Sequence, residues 1–519
     1  MASVTEERGC HVDVLIIGAG ASGVGAAIAM LRDKVPFLIL EKAESVGGTW
    51  RDNTYPGCAC DVPSALYSYS FAPNPEWTRA FAGQLEIKAY LEDVAQKYDV
   101  LPHVRFGTQV VRASYSASES IWRVETTKAV YTANALVAAT GPWHQPNIPA
   151  IPGLASFPGE IFHSARWNHG YDLVGKRVAV VGTGASAIQF VPFVAEKAAR
   201  LHLFQRTAQW VLPKLDHYVP EAERWLMRTF PSAQRALRSA EYAALEAFGL
   251  GFRKLWILEK IQRAGEWNLR RAITDPALRA KLTPDYTLGC KRLLMSNTYY
   301  PALARPNVDL LATEVREFVG NRAIGANGSS AEVDAVVFGT GFHILDMPVA
   351  TWVFDAHGKS LADHWKGSPK AYLGTTVSGF PNFFLLLGPS LGTGHSSAFS
   401  ILEAQLAYVT DGLRKMRRER LATVDLRPEV MAAYHAEVQD ALASTVYNTG
   451  GCTSYYLDRN GKNTFSWPWS TSALERRIHD FDLDAYAVTR APALASPRAA
   501  NHESAAAVGL RSAMEERSS

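Results

Sequence analysis

The sequence Val14-Leu-Ile-Ile-Gly18-Ala-Gly20-Ala-Ser-Gly23 joins a short apolar run to three glycines with the spacing G-x-G-x-x-G. An Ala-rich segment of helical character comes next, and the apolar run from Phe37 to Leu40 follows it. In such a strand–turn–helix unit, Gly18 permits the tight turn, Gly20 the close approach of a pyrophosphate, and Gly23 close packing of the helix on the sheet. The segment therefore predicts a dinucleotide-binding βαβ unit near the N-terminus.

The same pattern occurs a second time, in Val178-Ala-Val-Val-Gly182-Thr183-Gly184-Ala-Ser186-Ala187. Ala187 stands in place of the third glycine, which the fingerprint allows, and another apolar run follows from Leu201 to Phe204. Two further apolar runs end in Thr140-Gly141 and Thr340-Gly341. Together these units predict an α/β fold with two dinucleotide-binding, Rossmann-like domains, each built on a parallel sheet.

The residues after the second strand of each unit distinguish the two nucleotides. Glu41 follows the first unit, and a carboxylate there accepts hydrogen bonds from ribose hydroxyls and repels a 2′-phosphate, which suits the adenosine half of FAD. The second unit is followed by Gln205, Arg206 and Thr207, and a cation with a hydroxyl favours the 2′-phosphate of NADPH. A surface glutamate and a solvated arginine are the alternative interpretations. Two such sites in one chain imply hydride transfer from NADPH to a flavin.

The order of the motifs predicts that the first domain is interrupted by the second. Residues 1–150 are the first part of an FAD-binding domain, residues 151–330 an NADP-binding domain, and residues 331–490 the second part of the FAD-binding domain. Apolar residues at helical spacing between Pro220 and Leu282, with many arginines on the other faces, predict a helical insertion at about residues 215–285 that covers the active site. The Ala-, Ser- and Arg-rich composition of residues 491–519 predicts a disordered tail.

The composition of the 519 residues narrows the class of protein. The formal net charge is +3, with acids and bases balanced and no basic stripe, which argues against a nucleic-acid partner. Five scattered cysteines form neither a disulfide framework nor a metal-binding pattern, so we interpret all five as thiols in a reducing compartment and expect no metal site.

The apolar segment from Val12 to Leu31 contains Asp13 and four glycines, which disfavours a membrane span. The first ten residues lack the apolar region of a signal peptide, so we expect a cytoplasmic protein, as a monomer or small homo-oligomer.

Two further motifs carry a family resemblance. One is Gly47-Gly48-Thr49-Trp50, followed by Tyr55-Pro56-Gly57 and then Asp61, and the other is Phe157-x-Gly159-x-x-x-His163-x-x-x-Trp167. They resemble the fingerprints of the single-component, FAD-containing (type I) Baeyer–Villiger monooxygenases of the flavin-containing monooxygenase superfamily. The chain departs from that family's pattern at Asn168, where Pro or Asp is usual, and at Tyr455, where Trp is usual. The resemblance covers roughly residues 12 to 485.

The resemblance also implies roles for individual residues. The segment Pro284-x-Tyr286-x-x-Gly289-Cys290-Lys291-Arg292 is similar to the one that supplies the family's active-site arginine. Arg292 is therefore expected to be catalytic, Lys291 to bind NADPH, and Asp61 to lie near the flavin as the partner of Arg292. Structural roles are expected for His163 and Trp167. The cofactor-binding prediction comprises Gly18, Gly20, Gly23, Glu41, Gly48, Thr49, Trp50, Asp61, Gly182, Thr183, Gly184, Ser186, Ala187, Arg206, Thr207 and Lys291.

The function that the resemblance implies is the NADPH- and O2-dependent insertion of one oxygen atom next to a ketone carbonyl, through a flavin C4a-peroxide, to give an ester or lactone. Arg292 would stabilise negative charge on oxygen, and Asp61 would orient its guanidinium. An N- or S-oxygenating flavin-containing monooxygenase is the alternative, and it would use the same cofactors. A flavin disulfide reductase is disfavoured because the chain has no C-x-x-C. A flavin-binding redox sensor would not consume NADPH in response to a substrate. The sequence leaves the identity of the ketone open.

Overall fold

The structure is a computed structural model that describes residues 7–490, and the tail predicted to be disordered lies outside the described residues. The elements up to the first linker are β1 (Glu7–Ile17), α1 (Ala21–Asp33), β2 (Phe37–Leu40), α2 (Thr49–Asp52), α3 (Gln84–Lys97), β3 (Val104–Arg105), β4 (Val110–Ser116), β5 (Ile121–Thr126) and β6 (Ala129–Ala138). The following elements, up to the insertion, are β7 (Glu160–His163), β8 (Arg177–Val181), α4 (Ala185–Lys197), β9 (Arg200–Phe204) and β10 (Val211–Leu212).

The predicted helical insertion consists of α5 (Glu221–Thr229), α6 (Pro231–Gly249), α7 (Leu255–Ala272) and α8 (Pro276–Leu282). It is followed by β11 (Leu294–Met295), α9 (Tyr299–Leu303), β12 (Val308–Leu311), β13 (Val315–Val319), β14 (Arg322–Gly325), β15 (Ser330–Glu332) and β16 (Ala335–Phe338). The remaining elements are α10 (Val349–Trp352), β17 (Val353–Phe354), α11 (Leu361–Trp365), β18 (Phe383–Leu385), α12 (Ala398–Glu419), β19 (Leu421–Leu426), α13 (Pro428–Ala443), α14 (Val446–Thr449), α15 (Thr471–Arg477) and β20 (Tyr486–Arg490). Short 3-10 turns lie at Leu101–His103, Leu154–Ser156, Ser164–Arg166, Leu250–Phe252 and Leu483–Ala485.

The first sheet is built around the strand that precedes the first glycine motif. Its order is β17-β4-β5-β6-β1-β2-β3, with β18 also paired to β6. The strands β1, β2 and β6 are parallel neighbours, whereas β4, β5 and β6 form an antiparallel meander. The side chains of β1 from Val14 to Ile16 are buried, as expected for a strand covered on both faces.

The second sheet has the order β12-β9-β8-β16-β7, and all of its neighbours are parallel. The predicted mixed α/β fold with parallel, Rossmann-like sheets is confirmed. One predicted boundary needs correction, because β16 lies beyond residue 330 and yet pairs with β8 and β7 of this sheet. Apolar composition does not identify the sheet to which a strand belongs, and the chain returns to the first sheet only with β17. The division into domains otherwise remains a prediction.

Two short strands flank the helical insertion in sequence, β10 before it and β11 after it, and they pair in parallel. Its helix α7 buries Leu258 and Leu269, and the small residue Gly265 lies against the ring of Trp210, which follows β9. Contacts of its buried face therefore hold α7 against the rest of the chain. Among residues 7–490, none of the helices combines the length and the apolar character that a membrane crossing requires.

The cysteines correct one prediction. Cys290 and Cys452 form a disulfide, with their Cα atoms 6.1 Å apart, whereas Cys10, Cys58 and Cys60 are free thiols. The interpretation of all five as thiols was therefore wrong. The two partners are 162 residues apart in sequence, and spacing along the chain does not reveal a pair that only the tertiary fold brings within disulfide distance.

Candidate active site

A cavity of about 490 Å³ lies at the carboxyl ends of strands from both sheets. Its wall includes Pro142 and Trp143, which follow β6, the start of α4 after β8, and residues 339–342, which follow β16. Carboxyl ends of parallel strands are the usual ligand-binding edge of such sheets. The segments that follow β6 and β16 also contact each other there, since the backbone N–H of Asn147 donates to the carbonyl oxygen of Gly341 at 2.9 Å. The cavity is thus bordered by the turns that carry the sequence motifs.

The first glycine motif has the backbone geometry that its sequence predicts. Gly18 has φ of +102°, in the region that favours glycine, and turns the chain from β1 into α1. A Cβ at Gly23 would clash with the carbonyl oxygen of Gly18, so only glycine allows this close packing. Glu41 is 4% exposed, and its carboxylate accepts hydrogen bonds from the backbone N–H groups of Ala19 at 2.7 Å and Ala43 at 2.9 Å. Oε1 also accepts from Nη1 of Arg51 at 3.2 Å, whereas Oε2 keeps a second lone pair for a ribose hydroxyl.

The second fingerprint lies directly beside the first motif. The backbone N–H of Gly47 donates to the carbonyl oxygen of Ala19 at 3.0 Å, and a Cβ built on Gly20 would lie 3.5 Å from the Cα of Gly48. Gly20 and Gly48 therefore leave a cleft without side chains between them, which suits a ligand that approaches the backbone. Thr49 and Trp50 begin α2 and line the cavity, and the indole N–H donates to the hydroxyl of Tyr67 at 3.1 Å. The structure therefore brings these predicted FAD-binding residues together.

The second glycine motif is similar, with one compensated difference. Gly182 has φ of +103° at the end of β8, and the hydroxyl of Thr183 donates to the carbonyl oxygen of Thr207 at 3.2 Å. Ala187 is fully buried and faces Gly339, where an added Cβ would come within 3.1 Å of the Ala187 methyl group. The third glycine can be alanine here because a glycine follows the neighbouring strand β16. Gly184 and Ser186 line the cavity.

Two cations lie close together at the end of β9. Arg206 is exposed, and Lys291 is half-buried with its ammonium 5.0 Å from the ring centre of Tyr286. Burial and, after it, the charge of Arg206 lower the pKa of Lys291. Neighbouring like charges are costly unless an anion compensates them. Together with the hydroxyl of Thr207, this donor set fits the 2′-phosphate of NADPH.

Asp61 and Arg292 form a two-pronged ion pair on the cavity wall, although 231 residues separate them in sequence. The Arg292 Nε donates to Oδ2 at 2.8 Å, and Nη2 donates to Oδ1 at 2.7 Å and Oδ2 at 2.6 Å. The side chains are 34% and 26% exposed for Arg292 and Asp61, respectively, and both face the cavity. The charge of Asp61 raises the pKa of Arg292, so the guanidinium remains positive. Such a fixed cation can stabilise negative charge that develops on a bound ligand.

His163 is the last residue of β7, Trp167 follows the next 3-10 turn, and neither residue lines the cavity. His163 is 2% exposed, its Nδ1 accepts a hydrogen bond from the backbone N–H of Ala165 at 3.1 Å, and burial lowers its pKa to about 4. The ring of Trp167 lies 5.1 Å from that of Phe162 and 5.4 Å from that of Phe190. Both residues therefore pack between elements, as expected for structural roles.

Part of the cavity wall escaped the sequence reasoning. Trp143 and Phe465 line the cavity with their rings 6.2 Å apart, and Tyr455 lies 6.1 Å from Phe465. The only sequence signal for Trp143 is its place just after Thr140-Gly141, at the end of a predicted strand. The cavity wall therefore also carries aromatic side chains, which suit an apolar ligand body.

Comparison with known proteins agrees with this geometry. The family model for flavin-binding monooxygenase-like proteins matches residues 11–235. A Baeyer–Villiger monooxygenase from Streptomyces coelicolor is 49% identical over 506 residues, covering 96% of this chain and 97% of the relative. One from Pseudomonas aeruginosa is 44% identical over 486 residues, covering 93% and 92%. Among solved structures, a steroid monooxygenase bound to NADP has a TM-score of 0.82 at 29% identity, covering 93% of this chain and all of that one. A solved OTEMO complex with FAD and NADP has a TM-score of 0.83 at 26% identity, covering 92% of this chain and 99% of that one.

Proposed function

The chain belongs to the Baeyer–Villiger monooxygenases, and on this basis we propose that Arg292, oriented by Asp61, supplies the positive charge that its reaction requires. The enzyme depends on FAD and NADPH and inserts one oxygen atom, taken from O2, next to a ketone carbonyl to give an ester or lactone. Bound FAD supplies the redox chemistry, since it accepts hydride from NADPH and activates O2.

One observation carries the proposal, the two-pronged contact between Arg292 and Asp61 on the cavity wall. Bidentate pairing fixes the plane of the guanidinium, so its remaining N–H groups keep a constant direction toward the cavity. Asp61 thus acts as the positioning residue, and Arg292 as the group that stabilises negative charge on the reacting oxygen. Because Arg292 remains positively charged, it can stabilise the negative oxygen without giving up a proton.

The cofactor-binding roles extend the same proposal. Gly18, Gly20, Gly23 and Glu41 would hold the adenosine half of FAD, because the turn is free of side chains and the carboxylate suits ribose hydroxyls. Gly48, Thr49, Trp50 and Asp61 would border its flavin end.

NADPH would bind against the turn formed by Gly182, Thr183 and Gly184, with Ser186 and Ala187 at the start of α4. Arg206, Thr207 and Lys291 would contact its 2′-phosphate. The proposed substrates are a small-molecule ketone, of open identity, and molecular oxygen. Cytoplasmic location, a monomeric or small homo-oligomeric state and the lack of a nucleic-acid partner rest on the sequence and remain proposals.

The test separates hydride transfer from oxygen insertion. Arg292→Ala should still bind FAD and accept hydride from NADPH, but ester formation should fall by about 100-fold or more, as when one oxyanion-stabilising donor is lost. Arg292→Lys is the matched control, because it keeps the charge and loses the two-pronged geometry. Stopped-flow absorbance measures flavin reduction, and chromatography measures ester formed per NADPH consumed. Ester formation by Arg292→Ala at the wild-type rate would refute the role, and Lys291 would be the next candidate.

A further inference from the structure

The outer face of α7 has a pattern that neither the fold nor the reaction requires. Trp256, Lys260, Arg263, Trp267 and Arg271 recur at intervals of four, three, four and four residues. At 100° per residue these five positions fall within an arc of about 80°, along about 22 Å of the helix. All five are exposed, and the two tryptophans have 57% and 53% of their surface in solvent. The face is therefore a continuous stripe of tryptophans and cations.

The opposite face of the same helix is buried, which fixes the direction of the stripe. Leu258 and Leu269 are 0% and 3% exposed, and the amide of Asn268 donates to the carbonyl oxygen of Val211 at 3.0 Å. The Oε1 of Gln262 accepts a hydrogen bond from the backbone N–H of Leu288 at 3.2 Å. The inner face thus lies on the segment that leads to Lys291 and Arg292, and the stripe faces away from it.

The charges of the stripe are available to a partner. Lys260 lies 4.9 Å from the ring centre of Trp256, and the Arg271 guanidinium lies 5.2 Å from that of Trp267. Among residues 7–490, no carboxylate lies within ion-pair distance of Lys260, Arg263 or Arg271. The whole segment 221–282 contains twelve Lys and Arg against seven Asp and Glu, a formal charge of +5 in a chain of +3. The insertion therefore concentrates positive charge that the rest of the chain does not have.

Exposed aromatic surface is concentrated in the same segment. Every tryptophan with more than half of its surface exposed among the described residues lies there, namely Trp225, Trp256 and Trp267. Indole rings favour the boundary between headgroups and acyl chains, and lysine and arginine beside them pair with anionic lipid. We propose that α7 is a peripheral membrane-binding helix whose stripe lies on the surface of an anionic phospholipid bilayer.

A second copy of the chain fits this face less well. In a two-fold symmetric dimer the same patch meets itself, so the cations Lys260, Arg263 and Arg271 of one copy would face the same set of cations on the other. Like charges across such an interface are costly. A bilayer of anionic lipid instead compensates the charge and accepts the indole rings at the same time.

The test uses the FAD-loaded, full-length enzyme and sedimentation with unilamellar vesicles. One set of vesicles is phosphatidylcholine alone, and the other contains about one third phosphatidylglycerol. The wild type should bind the anionic set, bind the neutral set weakly, and lose binding as salt rises. Lys260→Gln/Arg263→Gln should weaken binding by about 30-fold, since each cation near the surface contributes about a factor of five. Trp256→Ser/Trp267→Ser should also weaken binding and leave its salt dependence in place.

The matched control places the same charge change elsewhere. Arg316 and Arg418 have side chains that are 55% and 70% exposed and lie outside the insertion. Arg316→Gln/Arg418→Gln should bind anionic vesicles like the wild type, and all variants should keep the flavin absorbance. Equal loss in the control would overturn the proposal, and so would lack of binding by the wild type. Binding to neutral vesicles alone would overturn it as well. A concentration-dependent dimer that Trp256→Ser/Trp267→Ser dissolves would assign the face to a second copy instead.

Discussion

The selection of NADPH over NADH should depend on the cation pair at the end of β9. The two cofactors differ by one phosphate on the adenosine ribose, so a group that contacts only this phosphate affects one cofactor and spares the other. We expect Arg206→Ala and Lys291→Ala each to reduce kcat/KM for NADPH while leaving that for NADH nearly unchanged. The structural basis is the position of the two cations at the end of β9, where burial and, after it, the charge of Arg206 lower the pKa of Lys291.

The expected loss of kcat/KM for NADPH depends on how deeply each side chain is buried. A hydrogen bond to a charged group contributes about 1.5–3 kcal/mol, and solvent exposure reduces this value. Arg206 is exposed, so about 1.5 kcal/mol, or roughly a tenfold loss, is expected for Arg206→Ala. Lys291 is half-buried and lies over the ring of Tyr286, so its loss should cost about 2 to 3 kcal/mol, or roughly 30- to 150-fold. The double variant should show coupling of more than about 0.5 kcal/mol, because both groups contact one phosphate.

The pH dependence provides a second measure of the same contact. A lowered pKa means that the free enzyme loses the Lys291 proton at a lower pH than an ordinary lysine does. A phosphate dianion binds the protonated form, so affinity for NADPH is fully present below this lowered pKa and declines as pH rises through it. Lys291→Arg should remove this decline, because an arginine keeps its charge throughout the range.

The assay is steady-state turnover of a ketone with each cofactor, combined with titration of NADP+ by absorbance. The matched control is Arg200→Ala at the opposite end of β9. The Arg200 Nε donates to the Asp309 carboxylate at 2.6 Å, far along the strand from the Gly182 turn, and its loss should leave the cofactor preference intact. Equal efficiency of the wild type with NADPH and NADH would refute the reasoning. A parallel fall for both cofactors in Arg206→Ala would show that the residue maintains structure and makes no contact with the phosphate.

Three further outcomes are expected. Asp61→Asn should lower ester formed per NADPH by about tenfold while FAD content stays constant, because the amide keeps some hydrogen bonding to Arg292 and loses the charge that orients it; unchanged coupling would contradict this. Gly23→Ala should purify with little FAD, measured by the absorbance ratio of flavin to protein, because its Cβ would clash with the Gly18 carbonyl oxygen; the reverse change Ala187→Gly should leave FAD content unaffected. Mass spectrometry of peptides from the alkylated, non-reduced protein should show a label on Cys10, with Cys290 and Cys452 joined until reductant is added. A label on all three cysteines before reduction would show that the pair is reduced. Reductant should then lower the melting temperature of the wild type and leave that of Cys452→Ser unchanged.

The features that were predictable from the sequence are those whose physical cause is local. A turn with positive φ at Gly18 or Gly182 requires glycine, and the apolar runs before them are long enough for buried strands. The periodicity of the insertion likewise predicts helices, because one face of α7 must be buried. These elements lie where the patterns place them, since each pattern arises from neighbours within about twenty residues.

The features that were not predictable depend on contacts between segments that lie far apart in the sequence. β16 belongs to the second sheet because it lies between β8 and β7, and its apolar composition would serve either sheet equally well. The disulfide of Cys290 and Cys452 joins segments that only the finished fold brings together. The contact of Asp61 with Arg292 was expected from family motifs and from no local rule, since 231 residues separate the two.

The two departures from the family pattern have different local consequences. Asn168 donates through Nδ2 to Glu160 at 2.7 Å and accepts through Oδ1 from the backbone N–H of Gly170 at 3.0 Å. A proline could make neither bond and an aspartate would oppose Glu160, so asparagine matches this turn and leaves the cavity unaffected. Tyr455 is different, because it lines the cavity with Arg292. Its side chain is 43% exposed, and a free phenol keeps its proton near neutral pH. A neutral phenol donates one hydrogen bond, as an indole does, but it also accepts one, and this second capacity is what distinguishes Tyr455 from the tryptophan of the family pattern.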